Sequence, residues 1–227
     1  HDLTVQAPDS INKEADYLIE KARGDSEMYK YVLWWLTYTH ETSKIMGMDA
    51  VFVHMVENYY MPGKAWWIDS ATLNKMVDRA RKIAPNLIGN TAPELALKDS
   101  AGNWQILSKV PAKFTILLFW DPDCGHCQKE IPKLKEVYEK WRSKGIEVYA
   151  VDIEPDVNKW KKFVHEKKLD WINVNDPQHQ SNFRQLYDIS STPVIYILDE
   201  KKVIRAKRIG VEQLDDVLSH LSKNVKS

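Results

Sequence analysis

The chain has 227 residues, which is long enough for one large domain or two ordinary ones. Hydrophobic residues make up 44% of it and charged residues 28%, so it can fill a core and solvate a surface. Lys plus Arg and Asp plus Glu both number 32, which argues against a protein that binds nucleic acid through its phosphates, and no apolar run is long enough to span a bilayer.

The first part of the chain shows only helical periodicity. Apolar residues recur three and four positions apart in four segments, which predict helices at 10–23, 26–46, 48–61 and 69–83. Ser10 and Asp69 are suitable N-cap residues, and Pro62 with Gly63 ends the third segment. An apolar stripe on the second segment carries Met28, Tyr31, Val32, Trp35 and Tyr38, with Trp34 beside it. We interpret these aromatic residues as core and predict a small all-α domain over residues 1–87.

From about residue 86 the pattern changes to strands and helices. Two short strands flank a turn at 99–103, and "FTILLFW" (114–120) is typical of a strand covered on both faces. The next predicted elements are a helix at 125–143, a strand at 146–153, a helix at 157–168, a strand at 171–174, a helix at 180–189, a hairpin of strands at 194–200 and 202–210, and a helix at 212–223. The strand–helix–strand order in the middle predicts a parallel pair of strands. We therefore predict an α/β domain over residues 88–227.

Both cysteines of the chain lie in "FWDPDCGHCQKEIP", between the buried strand and the following helix. A Cys-x-x-Cys pair at such a junction is typical of a redox motif. Cys124 falls at the helix N-terminus, where unpaired N–H groups and the helix dipole favour a thiolate. Cys127 comes almost one turn later, close enough to form a disulfide. We predict two-step exchange, in which Cys124 attacks a substrate disulfide and Cys127 resolves the mixed disulfide.

Three neighbouring residues are candidates for tuning this pair. An imidazole at His126 would stabilise the reduced state and make the disulfide a better oxidant, although His126 could also be an exposed polar loop residue. Glu130 shares the helix face of Cys127 and could exchange its proton, or it could be a solvated carboxylate. Pro193 opens an apolar strand after a Ser/Thr cluster, a setting in which a cis peptide bond is one option.

Two other interpretations of the cysteines fit the sequence less well. A zinc site needs four ligands, usually from two pairs, and this chain has one pair and no histidine at ligand spacing. Two inert core cysteines would not be expected around Gly125 and His126, which are not core residues. We therefore expect no cofactor other than the redox-active disulfide between Cys124 and Cys127.

With "FW", "CGHCQKEIP" and "TPVIYI" in one chain, residues 88–227 resemble the thioredoxin-fold thiol-disulfide oxidoreductases, most closely the TlpA/ResA branch. The resemblance implies a central mixed sheet flanked by helices, preceded here by the all-α domain. It also implies an extracytoplasmic location in the bacterial periplasm or cell envelope, and leaves open whether a segment outside this chain anchors it. The implied partners are protein thiols or disulfides and an upstream electron donor or acceptor. The helical half resembles, less specifically, N-terminal domains of Bacteroidetes-type proteins.

The resemblance also assigns roles to individual residues. It implies that Cys124 is the nucleophile and Cys127 the resolving thiol. It implies that Glu130 tunes the pair and that Pro193 is a cis-proline facing it. The other implied site residues are the tuning residues Gly125 and His126 and the substrate-groove residues Trp120 and Thr192.

Two features depart from the pattern of this family. Leu118 stands where thioredoxin has a buried aspartate, so proton handling must fall to Glu130 or water. The Gly-His dipeptide, as in protein disulfide isomerase, leaves the direction of electron flow open. Two alternative functions remain. One is a peroxiredoxin-like thiol peroxidase, although the Pro-x-x-x-Thr-x-x-Cys setting is missing. The other is a redox-sensing module whose helical half docks a partner.

Overall fold

A computed structural model describes residues 7–189 and 191–224 of the chain. The chain divides into two compact units, His1–Leu87 and Ile88–Ser227. In the described part of the chain, no helix has both the length and the apolar composition needed to cross a membrane.

The first unit is helical. Its α-helices are α1 (Pro8–Ala22), α2 (Ser26–Glu41), α3 (Asp49–Met55) and α4 (Ser70–Ile83), and one π-helical turn, Val56–Tyr60, continues α3. Asp25 and Asp69 cap α2 and α4 by accepting hydrogen bonds from backbone N–H groups of the first turn. The first helix begins at Pro8 rather than at the predicted cap Ser10, because proline suits the first helical position. Buried apolar side chains from all four helices form one core.

The aromatic stripe of α2, which we predicted to be core, lies largely on the surface. The side chains of Tyr31, Trp34 and Tyr38 are 58%, 50% and 53% exposed. Their rings follow one another along the helix, with centroid separations of 6.1 Å and 5.6 Å. The buried face of α2 carries Tyr29 and Leu33 instead. Because apolar residues occur on both faces, the helical period alone does not decide which face is buried.

The second unit is a seven-stranded sheet with helices on both faces. Its strands are β1 (Ala96–Asp99), β2 (Trp104–Ile106), β3 (Phe114–Trp120), β4 (Ile146–Asp152), β5 (Ile172–Asn175), β6 (Val194–Asp199) and β7 (Ile204–Lys207). Its helices are α5 (Gly125–Trp141), α6 (Val157–Glu166), α7 (Phe183–Leu186) and α8 (Leu214–Asn224). The helix predicted at 180–189 is only the single turn α7, because Tyr187 adopts extended backbone and buries its ring completely.

The sheet is mixed, with the strand order β2-β1-β5-β4-β3-β6-β7. β3 pairs in parallel with β4, and β4 pairs in parallel with β5, as expected of the strand–helix–strand segment. β6 runs antiparallel to both β3 and β7, which completes the predicted C-terminal hairpin. The dithiol segment therefore follows one of the innermost strands of the sheet.

All seven residues of β3 are buried, because both faces of the sheet are covered. Its even-numbered residues, including Leu118 and Trp120, lie in the core cluster that contains side chains of α5, α6 and α8. Its odd-numbered apolar residues, Leu117 and Phe119, lie in the cluster on the other face with Tyr187. This alternation is the ordinary period of a strand. It determines the direction of Trp120, the last residue before the dithiol loop.

Candidate active site

The two cysteines lie at the start of α5, directly after β3. Cys124 is the N-cap residue and is partly exposed, whereas Cys127 in the first turn is fully buried. Both are free thiols. The Cys124 N–H donates to the Asp121 carbonyl at 3.2 Å, and the Gln128 side chain donates to the Pro122 carbonyl at 2.9 Å. These bonds fix the short loop that presents Cys124.

The sulfur of Cys124 faces the segment that leads into β6. As a neutral thiol it donates to the Thr192 carbonyl oxygen, with 3.4 Å between the sulfur and the oxygen. The peptide bond between Thr192 and Pro193 is cis, and both residues are partly exposed. The structure thus brings together Cys124 and Thr192, with Pro193 next in the chain, although 68 residues separate the first two.

The pKa of the Cys124 thiol is lower than its ordinary value. Burial, the largest influence, raises this pKa, but hydrogen bonds to the sulfur outweigh it. The donors are, in decreasing order, the Thr192 hydroxyl, the Cys127 N–H, the Cys127 thiol and the His126 N–H. The neutral thiol accepts no capping hydrogen bond from this turn, so these donors act on the thiolate. The turn and Thr192 together favour an ionised, nucleophilic Cys124.

Cys127 has the opposite electrostatic setting. Burial, the largest cause, and the neighbouring Cys124 together raise its pKa to about 12. The Asp121 N–H and the Thr192 hydroxyl lower the pKa, but by less. Ionisation therefore favours Cys124 over Cys127, which stays protonated at neutral pH. This is the asymmetry that separates an attacking thiol from a resolving thiol.

The two residues between the cysteines are exposed. His126 acts on the Cys124 sulfur through its backbone N–H, while its imidazole faces solvent. A Cβ atom at Gly125 would meet no atom within 4 Å, so space alone does not require glycine. Any tuning by Gly125 must therefore come from something other than close packing.

Glu130 lies one turn beyond Cys127 on α5, and its side chain is 23% exposed. One carboxylate oxygen accepts a hydrogen bond from Lys133 at 2.7 Å. The other oxygen is buried and has no hydrogen-bond partner among the described residues. Glu130 is thus neither fully solvated nor fully paired, and its proposed proton exchange with Cys127 stays a prediction.

The expectation that Trp120 borders a substrate groove is wrong. Its side chain is 0% exposed and packs on Phe163 of α6, with 5.0 Å between the ring centroids. Trp120 follows the alternation of β3 and enters the same core as Leu118. Its nearness in sequence to Cys124 therefore gives it no contact with solvent.

One acidic residue near the site was not found from the sequence. Asp152, the last residue of β4, pairs in register with Trp120 and is 1% exposed. Its carboxylate accepts from the Asn175 amide at 2.7 Å and from the Glu154 N–H at 3.2 Å. Burial, the main cause, raises the pKa of Asp152 to about 7. The signal in the sequence is a carboxylate that closes the apolar strand "IEVYAVD".

The described residues contain no group of three or more His, Cys, Asp or Glu side chains placed to hold a metal ion. A cavity of about 330 Å³ lies in the second unit, where Trp104, Trp160 and Asn175 contribute to its lining. Neither cysteine lines this cavity. It is therefore separate from the dithiol.

Comparison with protein families and curated proteins gives two findings. The model described as the AhpC/TSA family matches residues 88–207, more than half of the chain. The thiol-disulfide oxidoreductase ResA of Geobacillus thermodenitrificans is 29% identical over 135 residues, which cover 59% of this chain and 76% of that protein. The family match includes the dithiol segment and all seven strands of the sheet.

Comparison with solved structures extends the likeness. A domain of a possible thiol-disulfide isomerase from Cytophaga hutchinsonii is 50% identical, covering 62% of this chain and 96% of that chain with a TM-score of 0.58. A thioredoxin-like protein from Bacteroides caccae, 19% identical, covers 93% of this chain and 77% of that chain with a TM-score of 0.74. The second likeness concerns the fold alone. The predicted fold class, a thioredoxin-like mixed sheet preceded by helices, is confirmed.

Proposed function

The chain belongs to the AhpC/TSA family, and we propose that it exchanges disulfides with protein substrates through Cys124 and Cys127. The relatives confirm the resemblance to ResA-like oxidoreductases. Because they are named a thiol-disulfide oxidoreductase and a possible thiol-disulfide isomerase, the chain is identified as an oxidoreductase. The assignment to these two residues rests on one observation, the placement of a partly exposed Cys124 at the N-cap of α5 with the buried Cys127 in the first turn behind it.

The geometry supports a two-step reduction of a substrate disulfide. The Cys124 thiolate attacks one substrate sulfur, the substrate S–S bond breaks, and the departing thiolate takes a proton from solvent. Cys127 then loses its proton and attacks the sulfur of Cys124, which closes the Cys124–Cys127 disulfide and releases the second substrate thiol. Two electrons pass from the dithiol to the substrate. An upstream thiol donor restores the dithiol, and the reverse sequence oxidises a substrate dithiol.

We place the substrate beside Thr192 and Pro193. Cys124 is partly exposed, and its sulfur lies against the Thr192 carbonyl. A substrate sulfur bonded to Cys124 would therefore lie close to this segment. The buried Trp120 is not part of this surface.

A disulfide-reduction assay tests the proposal. With dithiothreitol as donor and insulin as the disulfide-bonded protein, we expect catalysed reduction by the unmodified chain and none above background by Cys124→Ser. Lys129→Ala, an exposed change on the same helix, should retain the activity. Equal reduction by Cys124→Ser would contradict the assignment. If the unmodified chain reduced no disulfide but oxidised thiols with peroxide, the peroxidase alternative would be supported.

The direction of electron flow and the location are further proposals. We propose that Gly125-His126 makes the pair more oxidising than thioredoxin. A glutathione redox titration measures this potential, and a value as low as thioredoxin's would contradict the proposal.

We propose a location in the periplasm or cell envelope on the basis of the family resemblance. Recovery of the protein in the cytosolic fraction of the producing cells would contradict it. The division at Leu87 supports the proposal that residues 1–87 and 88–227 are separate domains.

A further inference from the structure

A buried acid lies beside the loop that carries the dithiol. Asp152 is 1% exposed and sits directly across from Trp120, the last residue of β3. The groups that donate hydrogen bonds to its carboxylate, the Asn175 amide and the Glu154 N–H, are uncharged. A buried carboxylate with neutral donors is unfavourable in its ionised form. Its charge state is therefore sensitive to any charge that appears or disappears nearby.

Asp121 connects Asp152 to the cysteines. The Asp121 carboxylate is close enough to Asp152 to disfavour a second negative charge there. The Asp121 N–H stabilises the ionised sulfur of Cys127. The Asp121 carbonyl accepts the hydrogen bond from the Cys124 N–H at 3.2 Å. Asp121 thus holds Cys124 through its carbonyl and follows Trp120, whose backbone pairs in register with Asp152.

Other charged groups surround this region. The acidic side chains on the neighbouring elements are Asp121 and Asp123 before α5, Glu154 after β4 and Asp176 after β5. The basic side chains are Lys159 of α6 and Arg184 of α7. Lys159 pairs with Asp123 at 2.5 Å, and Arg184 donates to the Ile153 carbonyl. Both of these cations thus have hydrogen-bond partners other than Asp152.

We propose that Asp152 is a positioning residue of the dithiol, acting through Asp121 so that a negative charge on Asp152 and one on the cysteine pair disfavour each other. This inference rests on the proposed function. In the reduced protein, ionisation of Cys124 favours a protonated Asp152. When the disulfide closes, two electrons and the thiol protons leave with the reduced substrate, and Asp152 ionises at a lower pH. By reciprocity, a neutral Asp152 eases ionisation of Cys127 in the resolving step.

A titration of the unmodified chain tests the linkage directly. The carboxyl ¹³C resonance of Asp152 would be followed against pH in the reduced and in the oxidised protein. We expect a midpoint of about 7 in the reduced protein and a clearly lower midpoint in the oxidised protein. Equal midpoints in the two redox states would overturn the proposal. This measurement needs no substitution that could disturb folding.

A kinetic measurement tests the consequence for the resolving step. Resolution of a mixed disulfide between Cys124 and glutathione would be timed in the unmodified chain and in Asp152→Asn. We expect equal rates at about pH 5.5, where Asp152 is neutral. At about pH 8.5 we expect Asp152→Asn to be about three- to tenfold faster, which corresponds to about half to one pK unit of coupling.

Glu136→Gln is the matched control, because it makes the same kind of carboxylate-to-amide change at an exposed position of α5. Its pH dependence should stay close to that of the unmodified chain. An Asp152→Asn rate that equals or falls below the unmodified rate at about pH 8.5 would overturn the inference. Failure of the unmodified chain to form and resolve the mixed disulfide at any pH would instead overturn the proposed function.

Discussion

Replacing Cys127 with alanine is expected to stop the exchange reaction after its first step and leave the substrate covalently attached to Cys124. The attacking thiolate still has Thr192 and the N-terminal turn of α5 to stabilise it. The thiol that would close the internal disulfide is absent, so the mixed disulfide persists until an external thiol reaches it. Non-reducing electrophoresis with a disulfide-bonded substrate should show a near-stoichiometric adduct that dithiothreitol releases.

Cys124→Ser is the matched control for this adduct. The remaining Cys127 is fully buried and its pKa is raised to about 12, so almost none of it is thiolate at neutral pH. We expect Cys124→Ser to form no adduct under the same conditions. An adduct of equal yield on Cys127 would show that the roles of the two thiols are wrongly assigned.

Replacing Trp120 with alanine is expected to lower the free energy of unfolding of the second unit by about 3–5 kcal/mol. The indole is completely buried between β3 and α6, where it contacts Phe163. Truncation would leave a cavity that this close-packed core cannot fully collapse around. Urea denaturation of the two proteins, with the midpoint and slope fitted together, gives the difference.

Trp104→Ala provides the control for the loss of a tryptophan. Trp104 lies on the edge strand β2, is 61% exposed, and its main contact is the Lys98 ammonium 5.0 Å from the ring. We expect this change to lower the free energy of unfolding by less than about 1 kcal/mol. If Trp120→Ala kept full stability and instead weakened substrate binding, Trp120 would belong to the substrate surface after all.

Much of the second unit could be predicted from local sequence patterns. A seven-residue apolar run predicts a strand covered on both faces, and β3 is such a strand. The amphipathic segment after the cysteines predicts α5, and the order of the following segments predicts the parallel and antiparallel strand pairs. These features depend on interactions between residues that are close in sequence, or on the general rules that connect neighbouring elements.

The features that could not be predicted depend on which distant residues surround a side chain. The α2 helix has apolar residues on two faces, and only the other helices of the unit decide that Leu33 is buried and Trp34 is exposed. Trp120 follows the alternation of its strand rather than its nearness to the cysteines. Asp152 is buried because β3 and β5 flank the end of β4, a neighbourhood that no local pattern records. The buried carboxylate at this end of the sheet therefore lies on β4, and not at the position of Leu118 on β3.

The central claim is that the two thiols differ, the pKa of Cys124 lying below its ordinary value and that of Cys127 above it. Alkylation of the reduced chain with iodoacetamide over a range of pH, with the modified cysteine identified by mass spectrometry, tests it most directly. We predict that Cys124 is modified at a much lower pH than Cys127, with an apparent pKa below that of a free cysteine. Cys127 should stay unmodified until strongly alkaline pH. Modification of both cysteines with the same pH dependence, or of Cys127 first, would contradict the account.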